Sequence, residues 1–308
     1  MSEIPLFVVD AFVGNLAARS LRGNAAAVVF LDAPQGANWM QEVAAEMNFS
    51  ETAFLTAQDA ANSASDFGLR WFTPVSEVNL CGHATLASAH FLWESGRVSR
   101  DQNLRFHTLS GVLGAKSEAG WIWLDFPAQT SKSVAAPQGL AAALGFSPRE
   151  PVAIFKVGDD LLVNVPRGCV EPLRPDFAWL GQISAQLKVR GIIVTSEAGA
   201  KNDAPARETD FKADCEADFV SRFFAPAIGI PEDPVTGSAH AALAPFWGAQ
   251  LQKTAMTGYQ ASPRGGLVRV VWRESRVDLG GKCATFLRGI LNQLEEESRF
   301  QPATISAK

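Results

Sequence analysis

Residues 77–93 read EVNLCGHATLASAHFLW, and residues 232–247, far along the chain, read EDPVTGSAHAALAPFW. Aligning Gly82 with Gly237 sets the two stretches in register, at an offset of about half of the 308-residue chain. Alanine-rich helices that follow a glycine are common, but the half-length offset and the matched strand-rich surroundings favour a true repeat. The chain is therefore expected to contain two halves of similar structure.

The stretch after Gly82 predicts a buried helix. Residues 84–94 carry no strongly charged side chain before Glu94, and Gly96 follows them as a typical helix terminator. A helix without a polar stripe has no face for water. Strand-like runs such as LRWFTP and WIWLDFPA stand on both sides of it. We expect strands wrapped around one apolar helix, and the same plan again around the helix after Gly237.

Two further segments complete the plan. The stretch NWMQEVAAEMNF has apolar residues at helical spacing, with Asn38 as a candidate N-cap. Residues 131–151 shift to alanine, proline, serine and glycine, and they are interpreted as the passage between the halves.

Composition excludes several classes of function. The chain is 47% apolar and 19% charged, with a net charge of −5, so it is expected to be globular and to bind neither nucleic acid nor anionic membranes. The N-terminus lacks a secretory signal, and no apolar run is long enough to span a membrane, which predicts a cytoplasmic protein. The four cysteines share no close spacing, so reduced thiols are expected rather than a zinc site or disulfides.

Both helix starts are candidate anion sites. The first N–H groups after Gly82 and Gly237 lack partners within their helices, and each helix dipole is positive there. If the halves face each other, both starts point at one substrate carboxylate. Three ionisable residues lie near these starts or interrupt apolar sequence: His83, Asp233 and Glu51.

Each candidate also has a structural interpretation. Glu51 is then an exposed carboxylate at a helix end, and His83 a capping or packing histidine. Asp233 stands before a proline, as turns require, and Ser238 suits a helix N-cap. His90, His107 and His240 have no Asp, Glu or Cys partners at metal-ligand spacing, so no metal site is expected.

Several motifs together resemble one family. The runs GNAAAVV, MNFSETAFL, RWFTPVSEVNLCGHATLASAH, GIPEDPVTGSAHAAL and QASPRGG are similar in order and spacing to the phenazine-biosynthesis PhzF-like family, within the diaminopimelate epimerase-like superfamily. The resemblance implies an α+β fold of two pseudo-symmetric halves, each a curved antiparallel sheet around a central helix. We place the halves at residues 1–127 and 128–308, and the resemblance allows a terminal segment to cross into the first half.

The resemblance also implies an activity. The family's characterised isomerase moves a proton within dihydro-hydroxyanthranilate at an active site between its two domains, and the resemblance suggests a homodimer. The residue types present here fit such a reaction without a cofactor. Carried over by motif, Glu51 is the acid and base, and His83, Asp233 and Ser238 surround the substrate. Charge on a small carboxylic acid would be stabilised by the N–H groups near Gly82 and Gly237.

Two rival functions remain open. Epimerases of the superfamily use two cysteines, one before each helix-start glycine, but here those positions hold Cys81 and Thr236. A threonine is a poor carbon base, so a racemase would need Cys81 and a different second base. The other rival is a non-catalytic protein that binds a small metabolite in the same place.

Overall fold

The computed structural model describes residues 3–16, 19–57, 65–147, 152–199 and 217–292 of the chain. These residues form 18 strands and five α-helices. The strands are β1 (Ile4–Leu16), β2 (Arg19–Leu21), β3 (Asn24–Leu31), β4 (Glu51–Ala57), β5 (Asp66–Phe72), β6 (Glu77–Val78), β7 (Leu104–Thr108), β8 (Gly111–Glu118), β9 (Trp121–Pro127), β10 (Ser131–Ser133), β11 (Ala153–Val157), β12 (Asp160–Asn164), β13 (Ile192–Glu197), β14 (Phe219–Ala225), β15 (Ile230–Asp233), β16 (Ala255–Gln260), β17 (Gly266–Arg273) and β18 (Arg276–Leu291). The helices are α1 (Ala37–Met47), α2 (Gly82–Glu94), α3 (Leu140–Ala143), α4 (Phe177–Leu187) and α5 (Gly237–Leu251).

The first half is a closed barrel. Its strands follow one another in the order β1, β3, β4, β5, β7, β8, β9 and β18, and β18 pairs with β1 to complete the ring. The neighbours β3–β4 and β5–β7 are parallel, and the others are antiparallel. Helix α2 lies inside and packs against β1, β3, β4 and β9. The expectation of strands around one apolar helix is confirmed.

The second half repeats this plan. Its strands run in the order β10, β11, β12, β13, β14, β16, β17 and β18 around helix α5. The parallel pairs, β12–β13 and β14–β16, stand where β3–β4 and β5–β7 stand in the first half. The repeat seen in the sequence is therefore a repeat of topology.

Two matching ion pairs show how closely the halves agree. Arg70 on β5 donates to Glu77 from Nε and Nη2 at 2.7 and 2.8 Å. Arg222 on β14 donates to Glu232 from the same two atoms at the same two distances. The glutamate that opens each sequence repeat thus holds an arginine of the neighbouring strand, and this bidentate contact fixes the loop that leads to each central helix.

Strand β18 belongs to both halves. Its first residues pair with β17 on one side and with β9 on the other, and residues 282–291 pair with β1. Two glycines allow close packing here: a Cβ on Gly280 would lie 2.7 Å from the ring of Trp123, and one on Gly281 would lie 2.5 Å from Phe12. The division of the chain at residue 127 stays a prediction.

The central helices are apolar on every side because the sheets surround them. Helix α2 buries 11 of its 13 residues, and α5 buries 10 of its 15. Pro245 lies inside α5 and has no N–H for the carbonyl of Ala241, but the N–H of Gln129 donates to that carbonyl at 3.3 Å. No helix in the described ranges combines the length and the apolar run needed to cross a bilayer.

Local details differ from the expectations. Helix α2 begins at Gly82, two residues before the predicted start, and α1 is capped by Gly36 rather than Asn38. Helix α4 was not predicted. Its N-cap Asp176 accepts a hydrogen bond from the N–H of Trp179, while Trp179 itself is 41% exposed. Exposed aromatic residues interrupt the apolar pattern by which a helix is recognised in sequence.

Candidate active site

The two central helices meet at their first residues. Helix α2 begins at Gly82 and α5 at Gly237, and a Cβ built on Gly82 would lie 3.3 Å from the Cα of Gly237. Side chains at these positions would force the helix starts apart. Glycine thus brings two sets of unpaired N–H groups, and the positive ends of two dipoles, to one place between the halves.

Glu51 stands beside this junction as the first residue of β4. The parallel pairing of β3 with β4 sets it opposite Ala26, and its side chain is only 14% exposed. Burial, with a smaller contribution from the charge of Asp233, raises the pKa of Glu51 to about 8. A hydrogen bond with Cys81 and the charge of Arg190 act in the opposite direction. The carboxyl group therefore exchanges its proton near neutral pH.

His83 lies in the first turn of α2, facing Glu51. Its Nε2 is 3.4 Å from Oε2 of Glu51, without the alignment of a hydrogen bond, and has no other hydrogen-bond partner among the described residues. Burial lowers the pKa of His83 to about 3. The imidazole is therefore neutral at physiological pH and has one nitrogen available toward the site.

Asn24, the first residue of β3, decides which nitrogen of His83 carries the proton. Its Nδ2 donates to Oδ1 of Asp233 at 2.8 Å and to the carbonyl of Val235 at 3.1 Å, so this atom is the amide NH₂. The same Nδ2 lies 3.2 Å from Nδ1 of His83. Because a donor faces Nδ1, the proton belongs on Nε2. The N–H of His83 thus lies on the nitrogen that is 3.4 Å from Oε2 of Glu51.

Asp233 ends β15 on the other side of the junction. Its carboxylate accepts hydrogen bonds from Asn24 and from the hydroxyl group of Thr236. Gln260 braces this loop, since its Oε1 accepts from the N–H of Thr236 and its Nε2 donates to the carbonyl of Asp233, both at 2.8 Å. Burial raises the pKa of Asp233 to about 6, although both hydrogen bonds lower it. The group is mostly ionised at neutral pH.

Ser238 follows Gly237 on the second-half side of the site. Its hydroxyl oxygen accepts a hydrogen bond of 3.0 Å from Nη2 of Arg190. The guanidinium of Arg190 is held in turn by Asp160, with Nε 3.0 Å from Oδ1 and a second contact between Nη2 and Oδ2. A cation therefore stands next to the start of α5.

Cys81 precedes Gly82 and is buried. Its Sγ lies 3.5 Å from Nδ1 of His83, and burial together with the charge of Glu51 raises the pKa of the thiol well above its usual value. At the equivalent place before Gly237, Thr236 uses its hydroxyl group to bind Asp233. Neither side chain is prepared to take a proton from carbon, which disfavours racemisation by a cysteine pair.

One group of side chains in the site consists of residue types that commonly bind metals. Ligand atoms of Glu51, Cys81 and His83 lie within 4.8 Å of one another, the one such group among the described residues. A metal-binding histidine normally donates its second ring N–H to an acceptor. Nδ1 of His83 instead faces the NH₂ donor of Asn24. This arrangement does not fit a resident metal, and the absence of a metal stays a prediction.

The structure gathers all of the site residues predicted from the sequence. Their roles stay predictions, but their positions meet around the two helix starts; they are Glu51, Gly82, His83, Asp233, Gly237 and Ser238. Sequence reasoning missed Asn24, Arg190 and Gln260. For two of them the sequence did contain a signal, a polar residue at the end of an apolar strand. Asn24 begins the run NAAAVVFL, and Gln260 ends the run AMTGYQ.

Known proteins share this architecture. A crystal structure of a PhzF-family phenazine biosynthesis protein from Enterococcus faecalis is 34% identical, has a TM-score of 0.80, and covers 95% of this chain and 100% of its own. A hydroxyproline epimerase from Agrobacterium vitis, 11% identical with a TM-score of 0.55 and 94% and 92% coverage, shares the fold alone. The fold of this chain is therefore shared with a PhzF-family protein and with a hydroxyproline epimerase.

Sequence relatives agree with the structural ones. An uncharacterized isomerase of Halalkalibacterium halodurans is 42% identical over 294 residues, which cover 94% of this chain and 99% of the relative. Residues 9–289 match the family described as phenazine biosynthesis-like protein. With its two similar halves, its paired helix starts and a match over nearly its whole length, the chain belongs to the phenazine biosynthesis-like protein family.

Proposed function

We propose that the protein is a cofactor-independent isomerase that moves a proton within a small carboxylic acid, with Glu51 as both base and acid. The observation that carries this proposal is the buried position of Glu51 beside His83, and this burial raises the pKa of Glu51 to about 8. A general base works best when its pKa is near the operating pH, because it then both accepts and returns the proton. An ordinary exposed glutamate would be a much weaker base.

The proposed reaction has two steps. The ionised carboxylate of Glu51 takes a proton from a substrate C–H bond, and the electron pair left behind spreads into the conjugated system of the substrate. The protonated Glu51 then returns the proton to another carbon of the same system. No atom or electron is gained or lost, so the product is an isomer of the substrate.

Charge that develops on the substrate requires donors. The N–H groups that follow Gly82 and Gly237 supply fixed partial positive charge between the halves. The Nε2–H group of neutral His83 supplies a further donor beside Glu51. Since these groups are held before the reaction, they need little rearrangement as charge appears.

Asp233 has a different role in the proposal. At neutral pH Asp233, with a pKa of about 6, is mostly ionised, while Glu51 is still largely protonated. The two carboxyl groups therefore have different roles. An ionised Asp233 holds an amino or hydroxyl group of the substrate, while Glu51 moves the proton.

Proton NMR in D₂O tests the proposal. The protein is incubated with dihydro-hydroxyanthranilate and a panel of small amino and hydroxy acids, and Glu51→Gln is run alongside. Deuterium is expected at a substrate carbon with the wild type alone. Exchange that persists in Glu51→Gln, or saturable binding of a panel member without any exchange, would overturn the role of Glu51.

We also propose that the protein forms a homodimer in the cytoplasm, as the family resemblance suggests. Support comes from apolar side chains of β18 that lie open to solvent in the single chain: Phe286 is 79% exposed and Ile290 is 51% exposed. Light scattering after gel filtration should give twice the 33.0 kDa mass of the chain. A monomer at micromolar concentration would contradict this proposal.

A further inference from the structure

Arg190 is the cation that acts on the site. Its positive charge lowers the pKa of both Glu51 and Asp233, against the larger effect of their burial. Within the described ranges of the chain, no other cation is among the groups that shift either carboxyl group. Nη2 of Arg190 lies 3.0 Å from the hydroxyl oxygen of Ser238 beside the start of α5, so an anion bound there has Arg190 as its counter-charge.

The guanidinium is held in a fixed orientation. Asp160, itself 4% exposed, binds Nε and Nη2, and Ser238 accepts from Nη2 at 3.0 Å. The ring of Phe223 lies 5.2 Å from the guanidinium carbon. A planar guanidinium that is fixed on one edge presents its remaining donors in one direction.

The remaining edge is available to a ligand. Nη1 carries no hydrogen bond to any residue that the structure describes, and the Arg190 side chain is 37% exposed. Next to it lie the hydroxyl group of Ser238 and the start of α5 at Gly237. A guanidinium edge, a hydroxyl group and free backbone N–H groups together match the two oxygens of a carboxylate.

The two walls of the site are chemically different. The first half supplies the proton-transfer side, Glu51 with His83, and Asn24 begins its strand β3. In the second half Asp160 begins the corresponding strand β12 and holds a cation instead. A substrate with a carboxylate at one end is thus placed in one orientation.

We propose that Arg190, positioned by Asp160 beside Ser238, binds the substrate carboxylate and so determines which end of the substrate faces Glu51. This inference rests on the proposed function for the reaction itself, but not for the binding. Arg190 contributes affinity and orientation, and Asp160 is a positioning residue that acts through Arg190. The reacting carbon lies on the side of Glu51 and His83.

Calorimetry with two matched probes tests the role of Arg190 as the anchor of the substrate carboxylate. The probes are 2-amino-3-hydroxybenzoate and its uncharged amide, which differ only at the carboxylate. The wild type should bind the acid at least tenfold more tightly than the amide, and Arg190→Gln should lose about 10- to 100-fold in affinity for the acid alone. Arg190→Lys keeps the charge without the planar guanidinium, and its affinity for the acid should lie between those of the wild type and Arg190→Gln.

Two controls separate binding from folding. Arg190→Gln leaves Asp160 buried without its partner, so the double variant Arg190→Gln/Asp160→Asn removes both charges and keeps two polar side chains. Arg276→Gln removes an arginine that is paired with Asp125 instead of with a residue of the site. The double variant should lose the acid preference, and Arg276→Gln should keep it.

The outcomes distinguish the two proposals. Equal binding of acid and amide by the wild type, binding of neither, or an acid preference that survives in the double variant would overturn the anchor. In any of these cases Glu51-dependent deuterium exchange could still be observed. An acid preference that depends on Arg190, without any Glu51-dependent exchange, would support the anchor and overturn the isomerase.

Discussion

The Nε2 atom of His83 lies 3.4 Å from Oε2 of Glu51, and the two residues come from different elements, the start of α2 and the start of β4. The imidazole of His83 is neutral, so it acts as a hydrogen-bond donor through its N–H group and does not transfer a proton. The side chain of Glu51 is a carboxyl group that changes its charge near neutral pH. Within this small site, His83 is thus suited to hydrogen bonding and Glu51 to proton transfer.

The rate of deuterium exchange should depend on pH through Glu51. Only the ionised carboxylate is a base, so the rate should rise with pH and level off above about 8. Asp233→Asn removes a negative charge that raises the pKa of Glu51, so the midpoint should move to lower pH, with a lower plateau. Exchange rates measured from pH 5 to 10 check both expectations. An unchanged midpoint in Asp233→Asn would show that the two carboxyl groups do not interact.

Glu51→Gln should stabilise the fold at high pH. Glu51 ionises near 4.5 in the unfolded chain and near 8 in the folded protein, so the folded state holds a proton that the unfolded state has lost between these values. Wild-type stability therefore falls as pH rises through this window, by up to about 5 kcal/mol. In Glu51→Gln this contribution to the pH dependence of stability is absent, because glutamine does not ionise. Urea unfolding at pH 5 and pH 8.5 should show a larger gain for Glu51→Gln at pH 8.5, and an equal gain at both would refute the expectation.

Gly82→Ala should impair activity more than stability. The added Cβ would lie 3.3 Å from Cα of Gly237, so the helix starts must separate by a few tenths of an ångström. Alanine is the better helix former, which offsets part of the steric cost, and the free energy of unfolding should change by about 1 kcal/mol or less. Exchange should fall at least about tenfold, because the donors of the two helices no longer converge.

Gly114→Ala on β8 is the matched control for this variant. A Cβ at Gly114 would have no neighbour within 4 Å. Its exchange rate should equal that of the wild type. Full activity in Gly82→Ala would mean that the contact between the helix starts has no part in the reaction.

Asn24→Asp should reverse the hydrogen bonding of the site. A carboxylate would replace the NH₂ group that now faces Asp233 and Nδ1 of His83, and the loss of these contacts should cost about 1–3 kcal/mol of stability. The proton of His83 should move to Nδ1 in the variant. Nitrogen-15 NMR of the histidine ring reports this directly. A wild-type spectrum with the proton on Nδ1 would contradict the assignment made from Asn24.

Cys81→Ser should retain most of the exchange activity, within about tenfold. Serine is small enough for the same position and keeps a hydrogen-bond donor for Glu51, and the buried thiol is a poor base because its pKa is raised. Comparison with Glu51→Gln under the same conditions is the measurement. Exchange that survives in Glu51→Gln but disappears in Cys81→Ser would identify a racemase-like mechanism instead.

The sequence repeats were sufficient to predict two halves of similar plan, because each repeat marks a buried helix that strands must surround. The residues nearest the helix starts, such as Glu51 and His83, were also recognisable, since an ionisable group within an apolar stretch is costly to bury and contributes little to packing. Asn24 was not recognised: its partners His83 and Asp233 are 59 and 209 residues away. Arg190 likewise has Asp160 and Ser238 as partners, 30 and 48 residues away, only after the second half has folded. Such contacts depend on topology, which local patterns do not contain.

Strand β18 also has a consequence for synthesis of the chain. Ile4 pairs with Leu291, so the first barrel cannot close until the whole second half has left the ribosome. During translation β1 and β9 therefore each present an unpaired edge, and such edges readily pair with other chains. The first half is exposed to this hazard while the second half is synthesised, and molecular chaperones that cover strand edges would protect it during that time.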